Sequence, residues 1–147
     1  MLLKVIAFAA VAGAVAIALV IFLMSSSTNP GIPNVRFTDF TADRIDIRVG
    51  QTTNIVFNVQ NLEDRAITDA RVAIVIEPSG YQPYLTIDKP SVDLPDMLSK
   101  DARTGQMRVT IAANGAPAKE ALYVVKGVLM VEGVQSDVRE FELRIRQ

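Results

Sequence analysis

"VGQTTNIVFNVQNLEDRAITDARVAIVI" (residues 49–76) is the stretch that decides the fold. Ile55, Phe57 and Val59 alternate with Val56, Asn58 and Gln60. After a polar interval, Val72, Ile74 and Ile76 share one face, with Ala73 and Val75 on the other. Successive side chains of a strand point to opposite sides of a sheet, so each run is a strand with one dry face. Gly50 marks a turn before the first run, and "NLEDRAITD" supplies the turn between the two.

The same period recurs on both sides. Ile45, Ile47 and Val49 alternate with Asp46 and Arg48; Met107, Val109 and Ile111 with Arg108 and Thr110; Phe141, Leu143 and Ile145 with Glu142, Arg144 and Arg146. "VRFTDFTADR" (35–44) reads as a short first strand with Phe37 inward. "EALYVVKGVLMVEG" (120–133) is apolar on both faces, which marks a central strand with Tyr123 in the core. Turn signals fall at "EPSGYQP", "LPDMLSKDARTG", "NGAPAK" and "EGVQSD", and "DMLSKD" reads as a single helical turn. Seven or eight short strands with this spacing predict an all-β fold, an immunoglobulin-like antiparallel β-sandwich over residues 35–147.

The chain begins differently. Val5 to Met24 carries no charge and no strongly polar side chain. At ~1.5 Å per residue a helix of that length spans roughly 30 Å, the hydrocarbon thickness of a bilayer. A cleaved signal has a shorter apolar run closed by small residues; this run ends in Ile21, Phe22, Leu23 and Met24, and no Cys follows it. Ser25–Ser27 is the alternative cleavage point. The expectation is a transmembrane α-helix in residues 1–24, retained as an anchor, and a linker in 25–34, where Pro30, Gly31 and Pro33 stop the helix. Lys4 flanks the run on one side, and the next basic residue is Arg36. The positive-inside rule then puts the N-terminus in the cytoplasm and the sandwich outside the cell membrane. Ala9 with Gly13 and Ala12 with Ala16 form small-xxx-small pairs, as does Ala14 with Ala18. Small residues let helices approach closely in lipid, which makes Ala9, Ala12, Gly13 and Ala16 a candidate helix-packing seam.

Composition excludes much chemistry. The chain has no His and no Cys. Thiol nucleophiles, zinc–thiolate and blue-copper sites, and a Ser-His-Asp triad therefore have no residues to build them. An exported domain without disulfides fits a prokaryotic envelope. Lys4 is the only charged side chain before Arg36, so the outer domain carries a net charge of −2 against −1 for the whole chain. No basic patch points to nucleic acid. No Asn-x-Ser/Thr acceptor occurs. No cofactor is expected, and the chain reads as a non-enzyme.

The quoted stretch, with "VDLPDMLSKDARTGQMRVTI" (92–111), resembles the CARDB-type and related immunoglobulin-like domains of prokaryotic surface proteins. Gly50, Asn61 and Leu94 are the matching positions, across roughly residues 43–112. Two departures stand out: Leu62-Glu63 replaces the glycine expected after the Asn, and Lys100-Asp101 replaces the glycine expected before the later strand. One N-terminal helix followed by a sandwich is also similar to archaeal archaellum stator subunits and type IV pilin-like proteins. Lys4 followed by Val5 and Ile6 departs from the pilin leader.

Three candidate sites remain. The loop carboxylates Asp93, Asp96, Asp101, Glu63 and Asp64 could serve calcium, but no D-x-[DN]-x-[DN]-G pattern is present, and such residues also make solvated turns. Tyr81 and Tyr84 flank Pro83 and form a possible partner surface, or one of them packs over the end of the sandwich. In the last strand, Arg139, Glu140, Glu142, Arg144 and Arg146 decorate one side and guard an edge. The sequence thus predicts a single-pass, extracytoplasmic, non-catalytic accessory subunit of a cell-envelope complex. Its partners would be the lipid bilayer and other membrane-complex subunits, or further copies of itself through the N-terminal helix. A subunit of an archaeal surface filament or its stator is the alternative, and a solute-binding or carboxylate-based enzyme domain is a further one.

Overall fold

The chain divides into two units, Met1–Gly31 and Ile32–Gln147. The structure, a computed structural model, describes residues 31–81 and 83–147. The candidate seam Ala9, Ala12, Gly13 and Ala16 lies outside the described residues, as does the Val5–Met24 run. Among the described residues no helix is long and apolar enough to cross a membrane.

Ten strands follow in order: β1 (Val35–Ala42), β2 (Asp46–Arg48), β3 (Thr52–Asn61), β4 (Ala70–Glu77), β5 (Leu85–Ile87), β6 (Ser91–Asp93), β7 (Ala102–Arg103), β8 (Met107–Ala113), β9 (Glu120–Val131) and β10 (Val134–Arg146). Sheet A runs β1-β3-β8-β5, with β7 also on β3; sheet B runs β2-β10-β9-β4-β6. The all-β sandwich expected from the periodicity is present. The alternating runs face inward as read: Ile55, Phe57 and Val59 from β3, Val72, Ile74 and Ile76 from β4, Val109 and Ile111 from β8, Leu143 and Ile145 from β10. β9 is central, and Tyr123 is buried.

Phe37, Phe40, Phe57 and Phe141 form a chain of aromatic contacts with ring centroids 5.4–6.3 Å apart. Phe40 lies on Gly127 of β9: a Cβ built there would come within 2.4 Å of the ring. The absent side chain at Gly127 is what gives the ring its seat.

Four readings need correction. The sandwich is not wholly antiparallel, because β2 pairs with β10 in parallel at Arg144–Arg146. β1 leaves sheet A after Ala42, and the chain crosses to sheet B at Ile45, whose carbonyl accepts from the Arg144 amide (2.8 Å). That switch leaves only three residues of strand, so Ile47 is buried while Ile45 and Val49 are exposed. "DMLSKD" makes no helical turn. Met97 is buried and exchanges two backbone hydrogen bonds with Ile67, both 2.9 Å, which hold the segment extended. The last strand is an edge only in part, since β2 covers its final residues. Arg139 sits on the opposite side from Glu140, Glu142, Arg144 and Arg146: it is in register with Gly127, and its Nε lies 3.6 Å from Asp137 Oδ2.

Candidate functional site

The strand registers sort the loops into two groups. Val35 of β1 stands opposite Asn61 of β3, and Ala70 of β4 opposite Val131 of β9. The entering chain, the 62–69 loop, the 94–101 loop and the Glu132–Gly133 turn therefore share one end. The 78–84 and 114–119 loops and Gly50 lie at the other. At ~3.3 Å per residue, β10 with its 13 residues separates the two ends by roughly 40 Å.

At the entry end, buried polar side chains join the loops. Asn61 is fully buried; its Nδ2 donates to the carbonyls of Arg65 (2.8 Å) and Leu98 (2.7 Å), and its Oδ1 accepts from the Glu63 amide (2.9 Å). The buried Ser136 hydroxyl lies 2.6 Å from the carbonyls of both Pro33 and Val35. Asn34 donates its amide to Glu63 Oε1, and its carbonyl accepts from the Leu62 amide (3.0 Å). Pro33 and Asn34 thus belong to the sandwich rather than to the linker. Arg65 donates to Glu132 through both terminal guanidinium nitrogens, Nη1 to Oε1 (2.5 Å) and Nη2 to Oε2 (2.7 Å). The hydrogen bond from Arg65 holds the Glu132 carboxyl below its usual range and raises Arg65 in turn.

Four of the five loop carboxylates, all but Asp96, are dispersed over different partners. Glu63 takes the Asn34 amide, Asp64 faces Lys100 at 3.9 Å, Asp93 faces Arg71 at 3.3 Å, and Asp101 accepts from Gln60 Nε2 at 3.3 Å. Among the described residues no three of His, Cys, Asp and Glu converge on a metal position.

At the far end, Tyr81 and Tyr84 close a turn: the Tyr81 carbonyl accepts from the amides of Tyr84 (2.7 Å) and Leu85 (3.0 Å). Both rings are half-buried, and Tyr81 packs on the core. Tyr84 lies against Gly115, and its carbonyl accepts the Asn114 and Gly115 amides. Burial, with a smaller push from nearby Tyr84, raises the Tyr123 hydroxyl above its ordinary value. Pro83 is the exposed tip of this loop.

The outer faces of the two sheets differ. Sheet A is polar: Asn54 Nδ2 donates to Asp43 Oδ2 (2.8 Å), Asn58 Nδ2 to Asp39 Oδ2 (3.2 Å), and the Thr110 hydroxyl to Asn54 Oδ1 (3.0 Å). Sheet B carries an apolar stripe. Leu122, Val75 and Val138 are exposed, and Val124, Val128 and Met130 are half-buried, all on its outward side. One ion-pair line crosses the stripe between Val124 and Val128, Lys126 with Glu77 (2.9 Å) and Glu140 (3.9 Å), and Arg144 with Glu120 (2.8 Å) closes it beside Leu122. The hydrogen bond to Glu77 holds Lys126 above its ordinary value. Sequence reasoning did not single this stripe out, although the doubly apolar pattern of residues 120–133 was its signal.

No protein-family model and no curated protein matches the chain. Among solved structures, the chain is similar to E. coli alpha-2-macroglobulin in its native conformation (TM-score 0.54, 13% identity, covering 77% of this chain and 7% of that one). It is also similar to the Pseudomonas fluorescens alkylpurine DNA glycosylase AlkC bound to DNA containing an abasic site analog (TM-score 0.50, 15% identity, 78% and 31%). The chain spans only a small part of either protein, and at these identities the likeness shows the fold alone. A CARDB domain of the PF1109 protein from Pyrococcus furiosus, in complex with di-metal ions, has a TM-score of 0.49 at 13% identity over 80% of this chain and 97% of that one.

Proposed function

We propose that this protein is a single-pass membrane protein whose extracytoplasmic immunoglobulin-like sandwich is a non-catalytic structural or accessory subunit of a cell-envelope complex. The observation that carries the reading is the apolar stripe on sheet B. Leu122, Val75 and Val138 stand in the open on one outer face, while the other is covered by amides, hydroxyls and carboxylates. Exposed apolar side chains gathered on one face, here in two patches on either side of Lys126, mark interaction sites. The cations around the stripe are already paired within the chain, so a partner subunit would be held by apolar contact more than by charge. The Val5–Met24 run supplies the anchor, and the absence of His and Cys supports the non-catalytic reading.

Crosslinking followed by pulldown from native membranes tests this. The expected result is a fixed-stoichiometry membrane complex, lost on Val75→Glu with Leu122→Glu. Helical self-assembly seen by electron microscopy would replace the accessory subunit with the filament reading. Gly13→Leu separates the helix from the face. Loss of the partner with an intact sheet signal places recognition in the helix seam; undiminished recovery leaves it to the sandwich.

A further inference from the structure

The entry end has a second feature, which the ion pairs and hydrogen bonds do not use. Leu98 is 75% exposed, Ile32 66% and Leu62 38%, and the first two are the most exposed large apolar side chains among the described residues. All three occupy one end. The Leu62 amide bonds to the Asn34 carbonyl, two residues from Ile32, and Asn61 holds the Leu98 carbonyl. The loops that present them are fixed by the Asn61 hydrogen bonds and by the Lys100 amide on the Glu63 carbonyl (2.6 Å).

We infer that Ile32, Leu62 and Leu98 seat the entry end of the sandwich on the lipid bilayer surface. This rests on the reading of Val5–Met24 as an anchor. Length decides which surface can be reached. The eight residue steps from Met24 to Ile32 span at most ~29 Å, so Ile32 stays within that distance of Met24, where the hydrocarbon ends. The far end, with the Tyr81–Tyr84 loop, lies roughly 40 Å from the entry end along the sandwich and is not held near the membrane by the tether. A tethered contact needs little intrinsic affinity, because a short tether gives a high effective concentration. Charge selects the lipid. Glu63, Asp64, Asp96, Asp101 and Glu132 outnumber Arg65 and Lys100 around the tips, so the surface suits zwitterionic headgroups rather than anionic ones.

The chain has no cysteine, so a single introduced thiol reports one position. The full chain carrying Leu98→Cys is labelled with an environment-sensitive fluorophore and reconstituted in phosphatidylcholine vesicles containing brominated acyl chains. Pro83→Cys, exposed at the far end, serves as the control. The expected result is a blue-shifted emission at position 98 that brominated lipid quenches, with neither effect at position 83. Added phosphatidylserine should not deepen the quenching. Vesicle-bound protein whose position 98 is unshifted and unquenched would overturn the lipid contact and leave the anchor standing. A blue shift without quenching would also overturn it and point to a protein contact. Protein that fails to float with the vesicles would overturn both readings.

Discussion

At the entry end, buried side chains bind backbone: Asn61 links three loop groups, and Ser136 holds Pro33 and Val35. At the far end the backbone mainly binds itself. The Gly50 amide donates to the Ala113 carbonyl (2.7 Å), the Val49 amide to that of Arg146 (2.8 Å), the Tyr81 carbonyl closes its own turn, and the Tyr84 carbonyl takes the Asn114 and Gly115 amides of the neighbouring loop. Each end is therefore vulnerable in a different way. A polar side chain that satisfies several buried groups leaves them all unsatisfied when it is removed, whereas a backbone-closed end tolerates substitution of its side chains.

Both ends share one core, and the most disruptive change should erase their difference. Gly127→Val places a branched side chain where the Phe40 ring lies and should cost about 3 kcal/mol, as an overpacked core does. Chemical denaturation measures the loss, and amide exchange should quicken at both ends together. Adding Phe40→Ala should recover part of it, a coupling expected only of residues in contact.

Asn61→Ala should keep the two ends apart. Removing its amide leaves the Arg65 and Leu98 carbonyls and the Glu63 amide without their partner, at a cost of about 2–3 kcal/mol. Exchange should quicken in residues 62–69 and 94–101 and stay unchanged in 78–84 and 114–119. Equal acceleration at both ends would remove the distinction.

The smallest effect is electrostatic. Because Arg65 lowers the folded-state carboxyl of Glu132, this pair stabilises the entry end above the ordinary glutamate range. That stability disappears as pH falls through the lower folded value. Glu132→Gln should therefore flatten the acid limb of the stability curve slightly and leave neutral-pH folding near unchanged, because the pair is exposed. A thermal-unfolding series from neutral to acidic pH, run on both proteins, reads this.

The sandwich was legible because its long strands obey one local rule. Ile55, Phe57, Val59, Val72, Ile74, Ile76, Val109, Ile111, Leu143 and Ile145 all alternate, and all are buried. The rule failed where the chain changes sheets. Ile45 and Val49 keep the period but lie outside the three residues of β2, and its parallel partner β10 is nearly a hundred positions away. Met97 had no periodic context, since a two-bond bridge to Ile67 buries it. Lys100 and Asp101, at the position where CARDB-type sequences carry glycine, both take positive φ (49° and 63°), the left-handed conformation that glycine adopts without strain. The substitution was visible in the sequence; the left-handed backbone at both residues was not. Of the candidate sites, the positions of Tyr81 and Tyr84 were legible but their distance from the entry end was not, because only the registers reveal it.

The role proposed for the sandwich rests on the anchor. Intact mass of the protein extracted from native membranes tests it most directly. The account predicts that detergent is required and that the mass includes Val5–Met24. A soluble protein whose mass begins near Ser25–Asn29 would contradict it and make the sandwich a secreted domain.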